Sequence, residues 1–135
     1  MERINSEVNA INWFEIPVVD TKRAKKFYET ILNIEMQTQY AEETKDELTF
    51  FPFKPGVIRA ISGKVSGALV KNERAKTSGD GTTVYLKASS PIREVINRIE
   101  PAGGKIIVPK TKIIAGYISI FLDPEGNKVG LHATA

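Results

Sequence analysis

The chain has no cysteine, one histidine and one tryptophan in 135 residues. Without cysteine there are no disulfides and no thiolate metal sites, which fits a cytoplasmic protein. One histidine cannot supply an imidazole-rich metal centre, because a divalent site generally takes three or more side-chain ligands. No stretch approaches the roughly 20 apolar residues that a membrane span needs. The polar start from Met1 to Ala10 has no apolar run of the secretory type, so no signal segment is expected. Neither charge sign dominates, since 19 Lys and Arg stand against 16 Asp and Glu, a net +3. The lysines are scattered and never interleave with aromatics in a basic run, so no nucleic-acid partner is expected. Ser78–Gly79–Asp80–Gly81 lacks a phosphate-loop lysine. A Ser/His/Asp arrangement and a dinucleotide loop are also missing.

What is present is a pattern that occurs twice. Asn9 to Val19 reads as a strand, with Phe14, Ile16 and Val18 on one face and Trp13, Glu15 and Pro17 on the other. Asp20 or Thr21 caps a helix whose apolar stripe is Ala24, Phe27, Tyr28, Ile31 and Leu32. Strands are expected at Glu35–Ala41, Glu47–Phe53 and about Gly63–Lys71. Residues 72–81 are polar and read as a linker.

The order then repeats. Thr82–Ala88 alternates, with Val84, Leu86 and Ala88 opposite Thr83, Tyr85 and Lys87. Ser89–Ser90–Pro91 supplies a cap and a helix-compatible proline. The second helix carries Ile92, Val95, Ile96 and Ile99 and stops at Pro101–Gly104. Strands follow at Lys105–Pro109, Gly116–Leu122 and Lys128–Ala133, the last two joined by the turn Asp123–Pro124–Glu125–Gly126–Asn127. Strand, helix and three strands thus occur twice. The expectation is one α+β domain over 1–135, with module one at about 9–71 and module two at about 82–135.

Three segments resemble one family. The opening Asn12–Trp13–Phe14–Glu15–Ile16–Pro17–Val18 with Asp20, Arg23–Ala24 and Phe27–Tyr28–Glu29 is similar to the start of a vicinal oxygen chelate domain. Ala102–Gly103–Gly104–Lys105 resembles the end of that superfamily's second helix, and Phe121 to Asn127 its closing hairpin. This superfamily contains the glyoxalases, bleomycin resistance proteins and extradiol dioxygenases. Gly130–Leu131–His132 resembles the ending of a glyoxalase-like bacterial subgroup of undefined activity. The resemblance covers about Ala10 to Ala133. It implies two βαβββ modules, with curled mixed sheets around a concave cavity and helices outside.

In metal-dependent members the resemblance implies His, Glu or Gln ligands on the first and last strands of the modules. The matching positions here hold Trp13, Thr83 or a neighbour, and Gly130, and Gly63–Lys71 contains no Asp, Glu or His. No metal and no cofactor are therefore expected. Glu15 with His132 makes at most a partial site.

Each remaining candidate has two readings. Glu15 is a structural carboxylate paired with Lys87 or Lys128, or a desolvated general base on the cavity wall. His132 points into the cavity mouth, or sits on the surface beside a frayed terminus. Trp13 and Tyr85 stack a flat ligand, or fill the concave face. Thr83 and Lys87 share their parity, and that of Tyr117 is ambiguous. The functional expectation is a small organic ligand bound without a metal, in a homodimer. The alternative is a lyase, isomerase or dioxygenase of the glyoxalase/dioxygenase type acting on a small metabolite.

Overall fold

A computed structural model describes residues 4–57 and 63–135. The start of the polar N-terminal segment, residues 1–3, lies outside the described residues. The chain forms β1 (Trp13–Pro17), α1 (Thr21–Leu32), β2 (Gln37–Ala41), β3 (Asp46–Phe50) and β4 (Ser66–Lys71). The second module forms β5 (Tyr85–Lys87), α2 (Ile92–Ile99), β6 (Lys105–Ile113), β7 (Gly116–Leu122) and β8 (Lys128–Ala133). Two four-stranded sheets result, ordered β1-β4-β3-β2 and β5-β8-β7-β6. In each, the first strand pairs in parallel with the last, and the other pairs are antiparallel. This is the duplicated α+β architecture of mixed sheets that the sequence pattern implies.

The two modules share one core. Ala24, Phe27, Tyr28 and Ile31 of α1 are buried, as are Ile92, Val95 and Ile99 of α2. An aromatic seam joins the halves. Phe51 packs on Tyr28 at 5.6 Å, and Phe27 and Tyr28 pack on Phe121 at 5.7 and 6.4 Å between ring centroids. Ile16 and Val18 face this core with Phe14 against its edge, as alternation requires, which leaves Trp13 and Glu15 on the open face of the first sheet.

Several element ends differ from the sequence pattern. β2 begins at Gln37 rather than Glu35, because the Met36 N–H donates to Glu29 Oε2 at 2.9 Å instead of to a ladder. β3 stops at Phe50, just before Pro52, which has no N–H to give. β4 starts at Ser66, whose hydroxyl donates to the Pro52 carbonyl at 2.8 Å. β5 is only Tyr85–Lys87, although the Gly130 N–H donates to the Val84 carbonyl and the Ala88 N–H to the His132 carbonyl, both at 2.8 Å. β6 runs through Pro109 to Ile113. It is an edge strand whose register shifts around that proline, where a missing N–H costs least. Ser90 does not cap α2. Pro91 holds the cap position without a side-chain bond, and Ser90 Oγ lies 3.4 Å from Thr134 Oγ1. Asp20 caps α1 by accepting from the Arg23 N–H at 3.1 Å.

Candidate functional site

The turn Asp123–Asn127 ties the second module to the first. Buried Asp123 accepts from the Tyr28 hydroxyl at 2.7 Å and from the Glu125 and Asn127 N–H groups at 2.8 and 2.9 Å. Glu125, with a fully buried side chain, accepts from the Asp20 N–H at 2.7 Å, the Val19 N–H and the Arg23 guanidinium. Asn127 donates to the Pro17 carbonyl at 2.6 Å and accepts from the Ser78 N–H at 3.1 Å. This turn is therefore a clamp on the β1–α1 junction, which fixes β1 against the second module.

Burial governs the protonation of this clamp. Desolvation lifts the Asp123 carboxyl above its ordinary value despite the hydrogen bonds it accepts. It pushes up Glu125 as well, but the Arg23, Asp20 and Val19 donors together outweigh it and hold Glu125 below the usual range. Desolvation, reinforced by Asp123, raises the Tyr28 phenol well above normal.

Along the free edge of β1 the modules leave a cleft of about 380 Å³, lined by Trp13, Glu15, Lys76, Asp80, Thr82, Val84 and Lys128 among others. A neighbouring cleft of about 590 Å³ is lined by Ala10, Gly63, Val65, Thr83 and Tyr85. Ile11, Phe14, Thr82 and Val84 belong to both. Trp13 and Glu15 thus share one cleft, and Thr83 and Tyr85 share the next. β1 and β5 are edges of separate sheets, so the two rings do not meet over one cavity through a common ladder.

Lys87 and His132 stand opposite each other in the β5–β8 register, and neither lines either of these two clefts. His132 Nε2 lies 2.7 Å from the Ala115 carbonyl, which can only accept, so Nε2 donates there. Glu15 is exposed and therefore lacks the desolvation that a general-base role assumed. It forms no pair with Lys87 or Lys128 either, and the Lys128 ammonium donates to the Gly81 carbonyl at 3.1 Å. Tyr117 packs against the core, under the Lys110 ammonium at 4.4 Å from its ring centroid.

The residues at the implied ligand positions do not fit a metal. Glu15 faces Ala68 and Tyr85 faces Gly130 in equivalent places of the two parallel ladders, so neither last strand offers a donor there. The Tyr85 ring occupies the space in front of Gly130. Among the described residues no three His, Asp or Glu side chains converge.

Two aromatic neighbours of Trp13 escaped the sequence pattern. Phe50 and Phe53 stand with Trp13, centroids 6.0, 6.5 and 5.6 Å apart, every pair edge-on. The signal was Phe50–Phe51–Pro52–Phe53, in which Phe51 turns to the core and Phe50 to the open face. It was hidden because Phe53 lies beyond the strand's end.

Comparison with known proteins agrees with this architecture. The family model described as the Glyoxalase/Bleomycin resistance protein/Dioxygenase superfamily matches residues 10–131. A hypothetical protein from S. aureus is similar in fold, with 16% identity, TM-score 0.61 and coverage of 91% of this chain and 92% of that one. The trypanothione-dependent glyoxalase I of Leishmania major has 18% identity, TM-score 0.65 and coverage of 93% and 87%. A fosfomycin resistance protein from Listeria monocytogenes has 17% identity, TM-score 0.58 and coverage of 93% of each chain. At these identities the likeness concerns the fold alone. No curated protein matches the sequence.

Proposed function

This chain belongs to the glyoxalase/bleomycin resistance protein/dioxygenase superfamily, and on that premise we propose that it binds a small, partly apolar organic molecule between its modules without a metal ion. The observation that carries this reading is the Tyr85 ring lying over Gly130, which puts aromatic surface where a metal-binding carboxylate would stand. Trp13, Phe14, Val84 and Val129 give the cleft apolar walls, and Glu15, Thr82 and Lys76 give it a few polar groups. That mixture is the usual make-up of a small-molecule site. Catalysis of lyase, isomerase or dioxygenase type has less support, since Glu15 reaches the cleft without His132 or Lys87 beside it.

The working unit on this reading is a cytoplasmic homodimer. Its support is the exposed apolar surface of Tyr85, Ile107, Ile113 and Ile114, with free edges on β2 and β6 that pairing would cover. No described helix is long and apolar enough to cross a membrane. Sedimentation at tens of micromolar is expected to show twice the 14.9 kDa chain mass, and a monomer alone removes the dimer.

The test of binding is a thermal-shift screen of metabolites and planar drugs, run with and without divalent metals. At least one organic compound is expected to raise Tm equally in both conditions. The Trp13→Ala variant, provided it folds, should lose that shift. A shift that requires the metal refutes the metal-free reading.

A further inference from the structure

We infer that the free edge of β1 is a strand-addition site for a short extended peptide, which pairs in parallel at Glu15 and ends in a carboxylate held by Lys76 and Lys128. The inference deepens the metal-free binding reading and rests on it, since the cleft along this edge is the one that reading uses.

The edge follows from ladder geometry. The Val18 N–H donates to the Val70 carbonyl at 2.9 Å, which fixes the alternation of the parallel β1–β4 ladder. Backbone groups of Phe14, Ile16 and Val18 therefore address β4, and those of Glu15, Pro17 and Val19 point the other way. The second module meets one end of this outward row with side chains. The Asn127 amide donates to the Pro17 carbonyl at 2.6 Å, and Glu125 accepts from the Val19 N–H. Pro17 has no N–H to satisfy. Glu15 is left over, because nothing among the described residues pairs with its outward N–H and C=O. β5 does not close the gap, since it is the edge of the other sheet. The cleft of about 380 Å³ runs along the open stretch instead. An unpaired strand edge beside a cleft is the geometry in which an extended peptide adds as a further strand.

Charge sets the direction of that strand. Lys128 follows Asn127, whose side chain accepts from the N–H of Ser78, two residues after Lys76. Both lysines therefore reach the cleft from the Pro17 end of β1. The Lys76 ammonium has no hydrogen bond or ion pair among the described residues. Lys128 gives one of its three ammonium hydrogens to the Gly81 carbonyl at 3.1 Å and keeps two. Asp80 lines the same cleft, so the group carries one net positive charge, the complement of a single carboxylate. A C-terminal carboxylate at this end makes the peptide run parallel to β1. For a tripeptide centred on Glu15, the Glu15 N–H then donates to the first carbonyl and the Glu15 C=O accepts from the last N–H. Phe14, Val84 and Val129 offer apolar walls to its side chains.

The test uses acetyl-Ala-Val-Ala on the full chain. Its controls are the C-terminal amide and the same acid N-methylated at the last residue. Trp13 is the sole tryptophan and lines the cleft, so intrinsic fluorescence follows binding. Amide hydrogen exchange reads the edge itself. In the free protein the Glu15 N–H is expected to exchange about tenfold faster than that of Ile16, and saturating peptide should slow it by a similar factor. The N-methylated probe should bind about tenfold more weakly than the parent, and the amide about two- to fivefold more weakly. Glu15→Pro deletes the N–H at an edge position of the parity that Pro17 already holds. It should bind about tenfold more weakly than Glu15→Ala, which keeps the N–H. A Glu15 N–H already as protected as that of Ile16 overturns the proposal, and so does equal binding of the parent and N-methylated probes. Neither result depends on a variant that folds. Equal binding of acid and amide overturns the lysine assignment. The broader reading falls separately, only if no compound of the metabolite screen shifts Tm.

Discussion

The ring of Tyr85 occupies the space that a side chain at Gly130, its partner in the parallel β5–β8 ladder, would need. A Cβ at position 130 would sit 2.6 Å from Cε1 and 2.9 Å from Cγ of that ring, closer than real contacts allow. The glycine is therefore required by the tyrosine, and no acidic side chain fits there unless the ring leaves. In the first sheet the equivalent pair is Glu15 and Ala68. The two modules have thus diverged at the same ladder position, one toward an open carboxylate and the other toward an aromatic cover.

Gly130→Ala is expected to destabilise the fold by about 1–3 kcal/mol, as overpacking does. In a Tyr85→Ala background the same substitution should cost less than about 1 kcal/mol, because the obstructing ring is gone. Denaturant unfolding of the four proteins measures the difference. An equal cost in both backgrounds would mean that the ring is not the obstacle.

Zinc, manganese, nickel and ferrous iron at tenfold molar excess are each expected to move Tm by less than about 1 °C. Tight binding to the native state would raise it by several degrees. The expectation follows from the donors available, since no three acidic or imidazole side chains meet among the described residues. A clear rise with one metal at one equivalent per chain contradicts it.

The second helix gives a graded test of packing. Ile99 is fully buried, and Ile96 lies half-buried at the margin of the core. Ile99→Ala should cost about 2–5 kcal/mol, within the range for core truncations. Ile96→Ala should cost less than half as much. Phe14→Ala removes a ring packed at 5.4 Å on Phe51 and should fall between them. Equal losses at Ile96 and Ile99 would show that the stripe is centred elsewhere.

Much of this architecture is legible in the sequence because alternation and helical spacing report which face is buried. Phe14, Ile16 and Val18 against Trp13 and Glu15 is enough to orient β1, and Ile92, Val95 and Ile99 enough to orient α2. Strand ends are less legible, since they depend on distant partners, as when Glu29 takes the Met36 N–H. The clamp was half visible. Asp123–Asn127 reads as a turn from residue chemistry, but its reach to Pro17, Val19 and Tyr28 is a tertiary fact. The site was least legible. Parity places Trp13 and Tyr85 on open faces, but the gap between β1 and β5 decides that they line different clefts. Phe53 reaches the Trp13 ring from beyond β3, where no strand period applies.

Acid should unfold this protein through Glu125. The Glu125 carboxyl titrates below its unfolded value of about 4.3. Its contribution to stability is therefore complete above that pH and is lost as pH falls through the folded value. Glu29 and Asp46 are lowered as well, Glu29 chiefly by the Met36 N–H and Asp46 by the Asn72 amide, so they act in the same direction. Asp123 is raised by desolvation and acts in the opposite direction, since its native-state protonation favours the fold until pH rises past the folded value. With three groups against one, Tm is expected to fall as pH drops below about 4.3. Glu125→Gln keeps an acceptor for the Asp20 N–H but loses the charge that meets Arg23. It should lower Tm by about 5 °C or more at pH 7. The gap between wild type and variant should then narrow steadily as pH falls below about 4.3. Thermal melts of both proteins across that range decide it, and a gap that stays constant with pH would show that Glu125 is not the titrating group.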